Sequence, residues 1–522
     1  MRFDGQDPSL VPLEAVRANE TPAAPAVTPH AAPHLIASEK NQLGSEDVAR
    51  RGLDPHDETT LFDAKSRTTD ESSHDEHDTA ERGPTMAAAT AAAAPTKTWH
   101  HPIFADKARG IRTRALRFTS SWFSVTMGTG IVNTLLFDLP WASAHPTFRA
   151  IGCAFLIVDM ILFGAFTFLT VLRYYLSPRI FIAMLRHETH SLFLGTIPMG
   201  LITIVSGIAA TGEEYGLKTL DTALVLYWIT VGLSCLTAFG VPFIMFTQHK
   251  HAAEKMTAAW LLPIVPLITA ASVGSTMCKL LLEQDRVKYC LTILIGSYLC
   301  AGIGMLLAMA IIVLYFQRLV LHHLPPREVI VSSWLPVGPI GQGGYALIEL
   351  GIVANDLFPR YTAMHSDQPY LNLIAPSMLG SAVLLGLLLW GLGIWFAFLA
   401  VVSIAAQFRE TNTTPEGKKT AVFNMGWWAF TFPLGSLTLL TFSLAKVFNS
   451  MFFKVCSAIM TGVVTALWVI VFIPTCIGFC RGTLFAAPCL QALPREHIEK
   501  LAPADGGAPP LRRAGKRARA GA

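Results

Sequence analysis

Residues 427–436 read WWAFTFPLGS, and they lie inside an apolar run long enough to cross a membrane. Proline removes a backbone donor and clashes with the preceding turn, so Pro433 predicts a break in this helix. In a bilayer, a broken backbone is tolerated only where it packs against protein or lines a water-filled cavity. The stretch therefore indicates a helix that lines a pathway, with Phe430, Phe432 and Ser436 beside the break.

The composition around this stretch is that of a polytopic membrane protein. Of the 522 residues, 52% are hydrophobic and 15% are charged, whereas soluble domains carry about 25% charged residues. Several runs exceed the roughly 20 apolar residues that cross a bilayer. This pattern predicts an all-α protein embedded in lipid, with no role in nucleic-acid binding. Ten spans are expected near 118–138, 148–172, 191–211, 221–246, 258–281, 290–316, 331–354, 374–405, 422–446 and 455–479.

Charge divides the chain into four predicted regions. Residues 1–97 carry a net charge of −8 and few aromatics, which predicts a disordered cytoplasmic tail. A basic juxtamembrane segment (98–117), the ten-helix domain (118–480) and a basic C-terminal tail (481–522) follow. Alternate short connections hold fifteen Lys/Arg against five in the opposite set. By the positive-inside rule, both termini are expected in the cytoplasm.

No metal or cofactor site is expected from the sequence. The acidic run HDEHD (74–78) is typical of a solvated tail rather than of a metal site. The nine cysteines lie mostly inside apolar runs and lack zinc-type spacing. We therefore interpret them as small buried hydrophobic residues.

Helix breakers recur in alternate spans. They are Gly128-Thr129-Gly130 in the first, Pro198 in the third, Pro266 in the fifth, Pro336 with Gly338 in the seventh and Pro433 in the ninth. The first three steps are 70, 68 and 70 residues, and the last is 97. A helical hairpin repeated five times explains this spacing. It predicts five broken helices around a pore, wrapped by five ordinary ones; close helix packing by small residues is the alternative.

These motifs resemble a known family. FTSSWFSVTMGTGIV (118–132), SLFLGTIPMGL, WLLPIVP, LPVGPIGQGG and WWAFTFPLGS are similar to segments of the fungal sulfite efflux pumps, over roughly residues 110–490. Those pumps belong to the tellurite-resistance/dicarboxylate transporter family, with fungal malate permeases and plant slow anion channels.

The resemblance implies ten helices as five hairpins in a quasi-fivefold ring around a central pore. It implies a phenylalanine of the ninth helix as the pore gate, Phe432 first and Phe430 second by motif position. Bacterial members form trimers, which implies a homotrimer here. The implied function is export of sulfite across the plasma membrane; uptake of malate or another C4-dicarboxylate is the alternative.

Selection of an anion in such a pore needs donors, because the pore has no evident ring of Lys or Arg. Free N–H groups at broken helix ends carry partial positive charge, and hydroxyl groups can supplement them. Weak, distributed binding allows an ion to leave. The candidate lining residues are Gly128, Thr129, Gly130, Thr196, Pro198, Pro266, Pro336, Gly338, Pro433 and Ser436.

Two acidic residues remain inside apolar runs, Asp159 in the second span and Glu349 in the seventh. Such acids are costly and often functional, so either could couple transport to protons; a hydrogen-bonded structural role is the alternative. Sulfite efflux pumps commonly carry Asn near the position of Asp159. An intramembrane hydrolase is disfavoured, since HETH (187–190) has the wrong spacing for a metalloprotease and Asp159 has no second Asp. A receptor would leave the repeat unexplained.

Overall fold

The computed structural model describes residues 110–139, 146–214, 219–365, 369–413 and 423–501. The predicted tail 1–97 and its HDEHD stretch lie outside these residues. The described chain is helical throughout, with no strand in it. Its α-helices are α1 Ile111–Arg117, α2 Phe123–Asp138, α3 Pro146–Leu176, α4 Arg179–Leu185, α5 Thr196–Glu214, α6 Leu220–Gln248, α7 Val265–Glu283, α8 Val287–His322, α9 Val337–Met364, α10 Leu371–Thr413, α11 Thr431–Phe448, α12 Met451–Arg481 and α13 Arg495–Leu501.

Eight of the described helices are long and apolar enough to cross a membrane: α3, α5, α6, α7, α8, α10, α11 and α12. The all-α membrane fold expected from the sequence is thus confirmed at this level. Helices α2 and α9 occupy the first and seventh predicted spans but are not among the eight. Helix α2 has 16 residues and therefore spans only about 24 Å. Helix α9 is less apolar because it carries Glu349, Asp356 and Arg360.

The helices fall into a buried set and an exposed set. About 89% of the membrane-length segment is buried in α7 and α11, and 67% in α5. Most of α2 and the first eight residues of α9 are also buried. In contrast, only 17% to 33% of the membrane-length segment is buried in α3, α6, α8, α10 and α12. We call α2, α5, α7, α9 and α11 the inner helices and the other five the outer helices.

The contacts among the five inner helices form a closed cycle. Helix α2 packs against α5, α5 against α7, α7 against α9, α9 against α11, and α11 against α2. Each inner helix also packs against the outer helix that follows it in the chain. Contacts between neighbouring hairpins join residues 70 positions apart, as in the pairs Tyr227–Ser297, Ser272–Gln342 and Lys279–Glu349. The hairpin period found in the sequence therefore matches these side-chain contacts.

Every inner helix begins with a short 3₁₀ segment. These segments are Ser120–Trp122, Leu192–Gly195, Ala258–Leu261, Ile330–Trp334 and Met425–Phe430. Pro198, Pro266 and Pro433 lie in the first turn of the α-helix that follows, and Pro336 directly precedes α9. A proline costs little there, because a first-turn N–H has no partner within its own helix. The expected break in the middle of the ninth span thus differs from the structure: Pro433 is near the start of α11.

The 3₁₀ segments also occupy N–H groups that were expected to be free. The Thr196 N–H donates to carbonyl groups of Phe193 and Leu194. The Gly338 N–H donates to the Leu335 carbonyl at 3.1 Å. The first turns of α5 and α9 are consequently less available as anion donors than an open helix end would be.

The start of the predicted C-terminal tail is folded. After α12, a 3₁₀ segment at Pro488–Ala492 and helix α13 pack on α4 and the end of α1. This small core buries Leu116, Ile180, Met184 and Leu490. Residues beyond 501 lie outside the described part.

Candidate functional site

A small polar cavity lies where the five inner helices meet. Its volume is about 20 Å³, enough for roughly one water molecule. Each inner helix contributes at least one lining residue, and no charged side chain is among them. We call it the central cavity; it is lined by Ile131, Thr134, Thr203, Ser206, Thr269, Ser272, Val273, Thr276, Gln342, Tyr345, Phe432 and Leu439.

The polar groups of the central cavity form a neutral hydrogen-bonding surface. The Gln342 amide nitrogen donates to Ser272 Oγ at 2.6 Å, and Ser272 donates to the Thr269 carbonyl at 2.8 Å. The Gln342 Oε1 atom is buried and has no hydrogen-bond partner in the described structure. Ser206 and Thr276 make no hydrogen bond within the described ranges, so their hydroxyl groups are free to donate to a ligand.

A much larger cavity lies at the ends where the inner helices begin. It has a volume of about 680 Å³, and we call it the wide cavity. Thr196, Leu262 and Leu335 line it, and the residue seven positions later in each helix lines the central cavity. In α5 seven residues are about two helical turns, so Thr196 and Thr203 lie on one face, which follows both cavities. Leu262 and Leu335 lie in the turns that precede α7 and α9.

A third cavity lies where α2 and α11 end. It has a volume of about 480 Å³ and includes Asp138, Lys446, Asn449 and Lys454. We call it the lysine cavity. Along the ninth span, Ala429 lines the wide cavity, Phe432 and Leu439 line the central cavity, and Lys446 lines the lysine cavity. The three cavities thus follow one another along this segment.

Phe432 follows Ala429, which lines the wide cavity, by three residues. Its side chain is 2% exposed and forms part of the wall of the central cavity. On α2, Met127 lines the wide cavity, and Ile131, one turn later, lines the central one. Phe430 is half-buried, lines none of the three cavities and packs edge-on against Trp334 and Trp427. The two candidate rings thus have different surroundings.

Several predicted lining residues face neighbouring helices. Thr129 donates to the Val125 carbonyl and accepts from Trp468 Nε1 at 3.0 Å, so it faces α12. A Cβ at Gly128 would meet Trp428 and Thr431, and one at Gly130 would meet Thr203 and Asp159. These glycines allow close helix approach.

The remaining predicted positions are buried near the starts of the inner helices. Thr196 lines the wide cavity, but its hydroxyl group donates to backbone carbonyls of Ser120 and Phe193. The Ser436 hydroxyl group donates to the Phe432 carbonyl at 3.0 Å. Gly338 faces Pro433, and a Cβ there would be 3.7 Å from the proline ring. Pro198, Pro266 and Pro336 are buried and line none of the three cavities.

The two intramembrane acids have different surroundings. Asp159 is fully buried; one carboxylate oxygen accepts from Thr203 at 3.5 Å, and the other has no partner in the described residues. Because Thr203 also lines the central cavity, Asp159 is one hydroxyl group away from it. Glu349 pairs with Lys279 and accepts from Ser443, which joins α7, α9 and α11.

Sequence reasoning missed most of the central cavity. Ser206, Ser272, Thr276 and Gln342 were not among the candidates, although Gln342 belongs to the quoted GQGG motif. The available signal was the 70-residue period, which relates Ser272 to Gln342. Across the described ranges, no group of His, Cys, Asp and Glu could hold a metal ion.

Comparison with known proteins identifies the family. The sequence model of the voltage-dependent anion channel family matches residues 117–476. The sulfite efflux pump of Arthroderma benhamiae is 39% identical over 373 residues, which cover 70% of this chain and 92% of the pump. That of Saccharomyces cerevisiae is 25% identical over 365 residues, covering 62% and 78%. The malic acid transport protein of Schizosaccharomyces pombe is 26% identical over 368 residues, covering 68% and 77%.

These matches confirm the resemblance derived from the sequence motifs, and they agree with an all-helical chain of many apolar spans. The chain belongs to the voltage-dependent anion channel family, among whose members it is similar to the fungal sulfite efflux pumps.

Proposed function

We propose that this protein exports sulfite through a central pore that joins the wide, central and lysine cavities. One observation carries the proposal: all five inner helices contribute to a single cavity whose lining is polar but uncharged. A small anion can be held there by hydroxyl and amide groups and still leave, because no fixed cation traps it.

We further propose ten membrane-crossing helices arranged as five hairpins with quasi-fivefold symmetry. The closed cycle of contacts among inner helices supports this arrangement, as does the greater burial of inner over outer helices. In this arrangement α2 and α9 cross the bilayer beside the other inner helices. Glu349 of α9 is buried there, whereas Asp356 and Arg360 are exposed towards the end of that helix. In the homotrimer implied by bacterial relatives, each protomer would contain its own pore.

Anion selection is assigned to side-chain donors of the central cavity rather than to helix ends. Ser206, Thr276 and the second amide N–H of Gln342 are the proposed donors, since the starts of the inner helices use N–H groups within 3₁₀ turns. Each hydrogen bond to a charged group contributes about 1.5–3 kcal/mol. A few such bonds compensate part of the lost hydration without binding the anion tightly.

Phe432 is the proposed gate. Its burial in the wall of the central cavity, one turn after Ala429 of the wide cavity, supports this role. With room for about one water in the central cavity, a hydrated anion passes only when the ring moves aside. Glu349 is assigned a structural role because Lys279 and Ser443 already occupy its carboxylate. Asp159 remains the candidate for any proton-linked step.

The proposed location is the plasma membrane, with both termini in the cytoplasm. The excess of Lys and Arg in alternate connections supports this orientation. The wide cavity then faces the cytoplasm and the lysine cavity faces outward. Lys446 and Lys454 would attract the leaving anion at the outer end.

Malate transport is the second candidate, because the malic acid transport protein of Schizosaccharomyces pombe is a relative. Sulfite is preferred on two grounds. The sulfite efflux pump of Arthroderma benhamiae is more similar, at 39% against 26% identity. Sulfite is also the smaller anion, which suits a central cavity of about 20 Å³.

The decisive experiment measures flux into vesicles containing the purified full chain. Radiolabelled sulfite and malate are compared directly, with a pH gradient imposed or absent. We expect sulfite flux well above that of protein-free vesicles and little malate flux. Malate flux without sulfite flux would replace the proposal with the dicarboxylate alternative.

A further inference from the structure

The lysine cavity differs from the other two cavities in charge. The described residues that line it include Lys446, Lys454 and Asp138, which give it a net charge of +1. The described lining of the central cavity has no charged side chain. The wide cavity has three glutamates against one lysine and one arginine, a net charge of −1 when its histidines are neutral. Of the three cavities, the lysine cavity therefore attracts an anion most strongly.

The tight turn between α11 and α12 brings the two lysines to one cavity. Asn449 follows α11 in the left-handed region, with a φ of 45°, which asparagine adopts more readily than most residues. Helix α12 begins at Met451, and Lys454 is its fourth residue. The Lys454 ammonium group donates to Asn449 Oδ1 at 2.6 Å, and no carboxylate of the described ranges pairs with it. Because an ammonium group has three donors, Lys454 can still donate to an anion.

Lys446, in contrast, already has an acidic partner. Its ammonium group lies 3.7 Å from the Asp138 carboxylate, and the two side chains are 55% and 29% exposed. This distance is longer than the roughly 2.7–2.9 Å of a short charge-assisted hydrogen bond. Exposed ion pairs of this kind are weak, because water screens them and two side chains must be held in place. A divalent anion in the cavity can therefore compete with Asp138 for Lys446.

We propose that the lysine cavity binds one divalent oxyanion through Lys446 and Lys454, and that Asp138 limits the affinity of this site. The Asp138 carboxylate repels the anion and competes with it for the Lys446 ammonium group. The affinity is therefore low enough for the anion to leave. That the natural ligand is sulfite on its way out rests on the proposed function. Sulfate is a divalent oxyanion as well, and it is the probe for the site itself.

The test is the thermal stability of the purified full chain in detergent, titrated with sulfate. Chloride replaces sulfate at constant ionic strength, so that screening of surface charges stays the same throughout the titration. A ligand that binds the folded state raises the Tm according to its concentration and affinity. We expect a Tm that rises with sulfate and then levels off, and the titration gives an apparent dissociation constant for each variant.

Two substitutions should change the affinity for sulfate in opposite directions. Lys454→Gln keeps a donor for Asn449 but removes the charge, so it should weaken binding about three- to tenfold. Asp138→Asn removes the competing charge and should tighten binding by a similar factor. Lys288→Gln is the matched control, because Lys288 is exposed at the start of α8 and lines none of the three cavities. It should leave the affinity unchanged.

Three outcomes would overturn the proposal: no sulfate-dependent shift in the unmodified protein, unchanged affinity in Lys454→Gln, or no gain of affinity in Asp138→Asn. If neither substitution changes the affinity and Gln342→Leu abolishes the shift, the anion binds in the central cavity instead. Because this assay needs no transport, it separates the anion site from the proposed pore. Absence of sulfite flux in vesicles would refute the pore and leave a sulfate site in the lysine cavity standing.

Discussion

Replacement of Phe432 by alanine tests whether the ring closes the pore. The side chain is 2% exposed, and its burial is worth about 1.5–3 kcal/mol. If opening requires the ring to leave this packing, its removal lowers the barrier by a similar amount. The expected gain in sulfite flux is about 10- to 100-fold. The assay is tracer flux into vesicles with equal protein content.

The same substitution has a stability consequence that distinguishes a gate from a packing residue. Space vacated by Phe432 would join the central cavity, whose polar groups favour water, so we expect only the burial term of about 1.5–3 kcal/mol to be lost. Phe166 is 5% exposed among other aromatic rings and lines none of the three cavities. Its truncation should cost about 3–5 kcal/mol and lower the Tm further.

Phe430→Ala is the control for position. Phe430 lines none of the three cavities, so its loss should lower the Tm modestly and leave flux unchanged. A flux increase in Phe430→Ala with none in Phe432→Ala would identify the wrong ring as the gate. Unchanged flux in both variants would refute a phenylalanine gate.

The other predictions concern packing, charge and the N-terminal region. Gly341→Ala should destabilise the protein by about 1–3 kcal/mol, because its Cβ would lie 2.5 Å from the Leu437 backbone nitrogen; Gly302→Ala, with nothing within 4 Å, should be neutral or slightly stabilising. Thermal unfolding of both variants checks this difference in sign. Lys279→Met should lower the Tm more than Glu349→Gln does. Lys279→Met leaves the Glu349 carboxylate, which is 2% exposed, without its ion-pair partner, whereas Glu349→Gln leaves Lys279, which is 42% exposed, in contact with water. An equal decrease in Tm in the two variants would contradict this prediction. Deletion of residues 1–97 should leave the Tm and sulfite flux unchanged, because that region has little apolar surface to add to a core; loss of membrane insertion would move the domain boundary.

Periodicity made much of the fold predictable. Because a membrane span needs a long apolar run, hydropathy alone places most of the helices. The steps of 70, 68 and 70 residues then identify alternate helices as equivalent, and contacts such as Ser272–Gln342 follow the same period. Helix starts were less predictable: a proline such as Pro433 can interrupt a helix or begin one.

Side-chain direction limited what the sequence could say about the site. Thr129 and Thr203 are both threonines in inner helices, yet one faces Trp468 and the other lines the central cavity. A hydropathy pattern does not distinguish them, because both sides of an inner helix are buried.

The narrow middle of the proposed pathway has a consequence for the energy source of transport. The wide and lysine cavities have volumes of about 680 and 480 Å³, whereas the central cavity has about 20 Å³, so in the proposed pore water and ions reach the central cavity from both ends. The membrane voltage therefore falls mostly across the short segment beside Phe432. Moving one elementary charge through it yields about 2.3 kcal/mol per 100 mV, and a dianion yields twice that. An inside-negative potential therefore favours the outward movement of sulfite through the proposed pore, in addition to any proton-linked step at Asp159.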